Sequence, residues 1–239
     1  MLHKKNTNFN PPLLIDNRMK IILNLTVLII IVLTTSACGD KTPPKIVKEP
    51  ITPDVMVIGT QTWTAKNLNV ATFRNGDPIP EAKSPKEWKA ASDNKQAAWC
   101  YYENDPKNGT KYGKLYNWYA VNDSRGLAKA GWHIPTDEEW TVLFDFLGGN
   151  DAAGKKMKRN SGWLANGNGT NSSGFSGLPG GYCSYDAKFL SVGYDGFWWS
   201  SSKVDESYAW SRRLNCNFSS RNRFKYLFNF GFSVRLVKD

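Results

Sequence analysis

Gly131-Trp-His-Ile-Pro-Thr-Asp-Glu-Glu-Trp140 runs straight into Thr141-Val-Leu-Phe-Asp-Phe-Leu147 and then Gly148. Thr136 followed by Glu139 has the spacing of a capping box, in which hydroxyl and carboxylate satisfy backbone N–H groups at a helix start. Trp140, Leu143, Phe144 and Leu147 then recur at i, i+3, i+4 and i+7, which is one face of a helix, and Gly148 suits the stop. A helix from Thr136 to Leu147 with one buried face is predicted. Glu138 and Glu139 sit where helix-start charge explains them, so they are not read as a catalytic carboxylate pair. Ser84-Pro-Lys-Glu-Trp88 repeats the signature, with Ser84 at the N-cap, Pro85 at the first helical position and Glu87 completing the spacing. It predicts a short helix through Ala91.

Working outward, Val55-Met-Val-Ile58, Gly59-Thr60 and Gln61-Thr-Trp63 read as strand, tight turn and strand. Beyond about residue 160 the chain turns to Gly, Asn, Ser and aromatics without helical period, which favours short strands and long loops. The expected fold class is α+β: two short helices with loop-rich antiparallel β-sheets in a single domain over residues 54–239. The 239 residues are 41% hydrophobic and 22% charged, near globular averages, and include ten Trp, ten Tyr and twelve Phe. With only two histidines there is little material for His-based catalysis or a His-rich metal site.

Ile21 to Leu33 is an apolar run too short to span a bilayer comfortably, preceded by Arg18 and Lys20 and followed by Thr35-Ser36-Ala37. These are the three regions of a secretory signal. They end at Cys38-Gly39-Asp40, which resembles a bacterial lipoprotein signal. Cys38 is then the expected lipidation site, although Thr35 stands where Leu is commoner, and Met19-Lys20 reads as an alternative start. Without residues 1–37, which hold Lys4, Lys5, Arg18, Lys20 and Asp16, the net charge falls from +10 to +7. Residues 38–53, rich in Pro and Lys, read as a tether that lifts the domain off the membrane. The expectation is export and lipid anchoring to the outer membrane, with the domain at the cell surface.

Seven segments carry a family resemblance: Trp63-Thr-Ala-Lys-Asn-Leu68, Trp99-Cys-Tyr-Tyr102, Tyr112-Gly-Lys-Leu-Tyr-Asn-Trp-Tyr-Ala-Val121, Gly131 to Trp140, Gly174-Phe-Ser-Gly-Leu-Pro-Gly-Gly-Tyr182, Gly196-Phe-Trp-Trp-Ser-Ser-Ser202 and Gly231-Phe-Ser-Val-Arg235. In order and over Val55 to Asp239, they resemble the Fibrobacter succinogenes major paralogous domain. That family is grouped with C-type-lectin-like folds, alongside formylglycine-generating-enzyme-like domains. The resemblance implies such a fold but no activity. Many members carry Cys where this chain has Leu236, as a partner for the Cys of the Trp-Cys-Tyr-Tyr segment; on that pattern Cys100 is unpaired here. Of Cys100, Cys183 and Cys216, an oxidising compartment suggests a Cys183–Cys216 disulfide. The reading preferred here is that Cys216 is an accidental residue at a diversified position, which implies no partner.

Gly196 to Asp239 also resembles the variable region of proteins diversified by diversity-generating retroelements, where template Asn codons are mutated within a fixed frame. The frame here is Trp198-Trp-Ser-Ser-Ser202, Tyr208-Ala-Trp210, Arg212, Leu214, Arg223 and Gly231 to Arg235. Mutated Asn codons cannot yield Lys, Glu, Gln, Met or Trp, and from Ser211 to Phe230 only Lys225 breaks that rule. The segment mixes aromatics, Asn, Ser and Arg, the composition of a recognition surface. The expected ligand-binding residues are Ser211, Arg213, Asn215, Asn217, Phe218, Ser220, Asn222, Phe224, Tyr226, Asn229 and Phe230. Phe224→Ala or Tyr226→Ala is expected to abolish binding and leave the melting temperature within a few degrees.

His133 is read as a hydrogen-bonded structural histidine, and no catalytic residue, metal site or cofactor is assigned. The chain has only Glu103-Asn-Asp105 and Val121-Asn-Asp123 in place of the motifs of calcium-dependent lectins. The functional expectation is a binding module for a surface glycan or protein, with anionic partners favoured over nucleic acid by the dispersed positive charge. The alternatives are a fixed-specificity cell-envelope or pilus-tip component, and an enzyme related to formylglycine-generating-type domains.

Overall fold

The computed structural model describes residues 55–218 and 223–239. The expected signal, Cys38 and the tether lie outside these residues, as do Ser220 and Asn222. Strands β1 (Val55–Ile58) and β2 (Gln61–Thr64) form the expected hairpin. Helix α1 (Pro85–Asp93) starts on the Ser84 hydroxyl, which accepts from the Glu87 N–H; the Glu87 carboxylate reaches back to the N–H of Lys83. There follow β3 (Trp99–Cys100), a 3-10 turn (Tyr102–Asn104), α2 (Pro106–Tyr112), β4 (Leu115–Tyr116), α3 (Trp118–Val121) and β5 (Trp132–His133). Helix α4 (Asp137–Phe146) carries the full capping box, Thr136 Oγ1 accepting from Glu139 N and Glu139 Oε2 from Thr136 N. Trp140, Leu143, Phe144 and Leu147 are buried as its period requires, and Gly148 leaves the helix at φ +100°.

After α5 (Asn150–Met157) come β6 (Gly180–Cys183), β7 (Phe189–Val192), β8 (Asp195–Lys203), β9 (Tyr208–Asn215), β10 (Arg223–Leu227) and β11 (Val237–Lys238). One sheet has the order β1-β2-β11-β5, a second β10-β9-β8-β6-β7, and β3 pairs with β4. Pairings are antiparallel except β6 with β8. The class is α+β, as expected, but among the described residues five α-helices stand where the sequence predicts two. Helix α2 does have a start signal, Asp105 accepting from Lys107 N ahead of Pro106, yet no apolar period follows it. Helix α5 has no side-chain cap and is held by tertiary burial of Ala153 and Met157 one turn apart. Among the described residues no helix is long and apolar enough to cross a membrane.

The segments that carried the resemblance interlock. Asn67 sits at their junction: its amide nitrogen donates to Tyr112 O (2.8 Å) and Ser233 Oγ (3.1 Å), and its Oδ1 accepts from Trp198 Nε1 (2.8 Å) and Arg235 Nε (2.6 Å). Trp199 Nε1 donates to Tyr116 O, and Trp118 Nε1 to Ser200 O. Buried indoles with satisfied N–H groups fill the core and fix the chain's path together. Gly113 ends α2 at φ +78°, and a Cβ there would lie 2.8 Å from Leu68 O, so this junction admits only glycine.

The cysteines follow the unpaired reading and not the disulfide. Cys183 and Cys216 belong to different hydrophobic clusters, so they are not a pair. Cys216 is buried, and a Cβ at Gly167 would strike it, so it is a packing residue. Cys100 is not isolated: it shares a cluster with Cys183, within side-chain hydrogen-bonding reach, and burial together with Cys183 pushes its thiol well up. All three are free, buried thiols.

Strand β11 pairs Val237 with both Trp63 and His133, which brings Asp239 to the start of α4. His133 Nδ1 lies 2.7 Å from Asp239 Oδ1 and Nε2 2.7 Å from Glu139 Oε1, so both ring nitrogens are engaged. Partial burial opposes the charged ring, but the hydrogen bonds and charges of Asp239 and Glu139 outweigh it and raise the His133 pKa. A raised folded-state pKa stabilises fully below the unfolded value, about 6.5, and that contribution is lost as pH rises through the folded value. The melting-temperature gap between wild type and His133→Gln is therefore expected to be larger near pH ~5.5 than near pH ~8.5. A gap independent of pH would mean that folding leaves the His133 pKa at its unfolded value.

Candidate recognition face

In the second sheet β9 lies between β8 and β10, with Phe197 opposite Arg213, Trp199 opposite Ser211, and Ser211 opposite Phe224. Strand alternation puts Phe197, Trp199, Ser211, Arg213, Asn215, Phe224 and Tyr226 on one face. It turns Trp198, Arg212, Leu214 and Arg223 to the other, where Trp198 and Leu214 join the cluster containing α4 and α5 residues.

On the first face Trp199 and Ala209 are core residues. At its outer part Arg213, Asn215, Phe224 and Tyr226 are only partly buried, with Tyr182 and Phe230 beside them and Tyr185 exposed. Tyr226 and Phe230 are 5.1 Å apart between ring centroids, Tyr182 and Phe230 6.0 Å, Tyr185 and Phe230 5.9 Å. The Arg213 guanidinium lies 5.9 Å from the Phe224 ring centre. Asp195, buried, accepts from Arg213 Nε at 2.7 Å and Asn215 Nδ2 at 2.6 Å on one oxygen. This fixes an arginine fork and an amide beside four aromatic rings, an arrangement suited to holding polar groups over an apolar floor.

The eleven predicted residues thus divide. Arg213, Asn215, Phe224, Tyr226 and Phe230 come together on this face. Asn217 and Phe218 follow β9 and are exposed, Phe218 at 63%. Ser211 is fully buried, its hydroxyl donating to Phe224 O at 3.2 Å, so it braces β9 to β10 and cannot meet a ligand. Asn229 does not belong to the face: its amide donates to Ser92 Oγ and its carbonyl accepts from Trp88 Nε1, fastening α1. Tyr226 is also partly core, its ring 5.7 Å from Phe197 and 5.0 Å from Phe232. Truncating a packed aromatic costs about 3 kcal/mol, so Tyr226→Ala is expected to lower stability as well, against the sequence-based expectation. Asp195, Tyr182 and Tyr185 were not anticipated; Asp195 gains its meaning only from the register opposite Asn215. Among the described residues no group of three or more His, Cys, Asp or Glu is assembled for a metal ion.

The model of the Fibrobacter succinogenes major domain matches residues 56–238. The chain belongs to that family. No curated protein and no solved structure matches it. In this member of the family, the motifs that converge on Asn67 are scaffold, and the face on β9 and β10 is built between them.

Proposed function

We propose that the domain is a recognition module on a C-type-lectin-like scaffold, exported and lipid-anchored through Cys38 to the outer membrane at the cell surface, and that it binds a glycan or protein ligand on the β9–β10 face. The observation that carries this reading is the partly exposed group of Tyr182, Phe224, Tyr226 and Phe230 beside an Arg213–Asn215 pair fixed by Asp195. Aromatic rings supply contact area at low entropy cost, and Arg and Asn supply directional donors. Core packing alone does not call for two polar donors among the rings.

The resemblance to a diversified region adds that the face varies between cells. Sequencing codons 196–239 across a population of the source strain tests this. The expected changes fall at Arg213, Asn215, Asn217, Phe218 and Phe224, with Trp198, Trp199, Arg212 and Gly231 constant. Substitutions that reach those frame residues at the same frequency would overturn the diversified reading. A single sequence throughout would leave diversification unsupported, since an inactive element gives the same result, and would shift weight to a surface of fixed specificity.

A further inference from the structure

A second concavity shares no residue with the β9–β10 face. Between the segment after β2, the end of α2 and the loops that follow α5 lies a cleft of about 600 Å³. Lys111, Arg159 and Arg235 line it together with Lys66 and with amide and hydroxyl side chains, and among the described residues no Asp or Glu stands in its wall. Such an imbalance focuses positive potential into a partly enclosed space.

Arg235 makes the imbalance costly to the free protein. It is 1% exposed, its Nη1 donates to Thr64 O at 2.6 Å and its Nη2 to Ser176 O at 3.5 Å, in addition to the Asn67 bond, and its guanidinium lies 4.5 Å from the Phe175 ring centre. These neutral acceptors satisfy the N–H groups but not the charge, and among the described residues no carboxylate pairs with it. Burial accordingly pushes it down to about 9. Lys114, 4% exposed, is held the same way, on Asn69 Oδ1 (2.9 Å) and the Tyr101 hydroxyl (3.1 Å), again with no carboxylate among the described residues. Asn67 and Asn69 thus link two uncompensated buried cations to the cleft they line.

The wall formed by the loop after α5, which Arg235 touches at Ser176 O, is rigid. Asn171 and Ser176 both hold left-handed backbone, at φ 52° and 53°, and Asn171 locks them by accepting from Ser176 N (2.7 Å) and donating to Ser176 Oγ (2.9 Å). Non-glycine residues keep such conformations only where their surroundings enforce them, commonly at ligand sites. Arg159 is exposed at the rim with no side-chain partner among the described residues.

We propose that this cleft binds an acidic saccharide unit, whose carboxylate or sulfate is held by Arg159 and Lys111 in the field of Arg235, and whose hydroxyls meet Asn160 and Asn171. The volume is far more than an inorganic anion needs, and the amide lining matches ring hydroxyls.

Isothermal titration of the detergent-solubilised full chain tests it with four probes: trigalacturonate, a sulfated heparin disaccharide, neutral maltotriose and inorganic sulfate. Binding of at least one acidic sugar is expected, weakening with salt, with the carboxylated and sulfated probes showing which oxyanion is preferred. Arg159→Gln and Lys111→Gln, both at exposed positions, are each expected to weaken it by about tenfold. Phe224→Ala should leave it unchanged, so failure here is distinct from failure of the β9–β10 face. The proposal is overturned if no acidic sugar binds at millimolar concentration, if maltotriose or sulfate binds equally well, or if both charge variants bind like wild type.

Discussion

Trp63→Ala is expected to lower stability by about 4 kcal/mol, and the melting temperature by roughly 8–16 °C, while leaving a chain that still folds in the cold. Trp63 is fully buried, 4.7 Å from Trp140 and 6.0 Å from Phe175 between ring centroids, and Trp198 lies 5.7 Å from Phe175. The substitution removes a side chain contacting α4 from a strand, β2, that is also paired with β11. The surrounding rings are themselves pinned, Trp198 through Asn67 and Trp140 on α4, so they cannot collapse into the space. Thermal unfolding followed by near-UV circular dichroism measures the loss. A shift of only a degree or two would mean that the aromatic cluster repacks freely, and the claim of a rigid scaffold would fail with it.

The second large effect separates two arginines on one carboxylate. Arg212 Nη2 lies 2.9 Å from Asp137 Oδ1, and Arg223 Nη2 2.8 Å from Asp137 Oδ2. The Arg212 side chain is 5% exposed and that of Arg223 48%. Arg212 also donates to Asp137 O (2.7 Å) and Thr141 Oγ1 (2.9 Å), tying β9 to the first turn of α4. Burial pushes its guanidinium down to about 10, the mark of a charge held away from water. Arg212→Ala removes the buried one of the two cations on Asp137, whose carboxylate keeps Arg223, and opens a cavity between sheet and helix, with an expected loss of about 3 kcal/mol. Arg223→Ala removes a solvent-screened partner and is expected to lose under about 1 kcal/mol. Chemical denaturation of both variants reads the difference; equal losses would show that burial does not set the value of the pair.

What the sequence made legible was local. Thr136 with Glu139, Ser84 with Pro85, and the Gly59-Thr60 turn each act within a few residues, and each appears where it was read. Helix α5 escaped because its stability comes from burying Ala153 and Met157 against distant residues, which leaves no cap or long period behind. The candidate face on β9 and β10 was legible as a composition and not as a surface. Ser211 and Asn229 look like their neighbours in the sequence, but pairing with Phe224 and proximity to α1 turn them inward. Asp195 shows the reverse: nothing around it marks a site until the register sets it against Asn215. The disulfide that compartment alone suggests does not form, since neither spacing nor compartment tells that Cys183 shares its cluster with Cys100 and not with Cys216.

The most direct test is binding by the face itself. Wild-type chain and a Phe218→Ala/Phe224→Ala variant would be compared on one array of glycans and proteins, with melting temperatures measured alongside. Phe218 is exposed and Phe224 only partly buried, so the two melting temperatures should agree within about 5 °C. At least one ligand should bind wild type and lose about tenfold or more in the variant, as expected when aromatic anchors are removed from an interface. If wild type binds nothing, or the variant binds the same ligands equally well, the β9–β10 face is not the recognition surface.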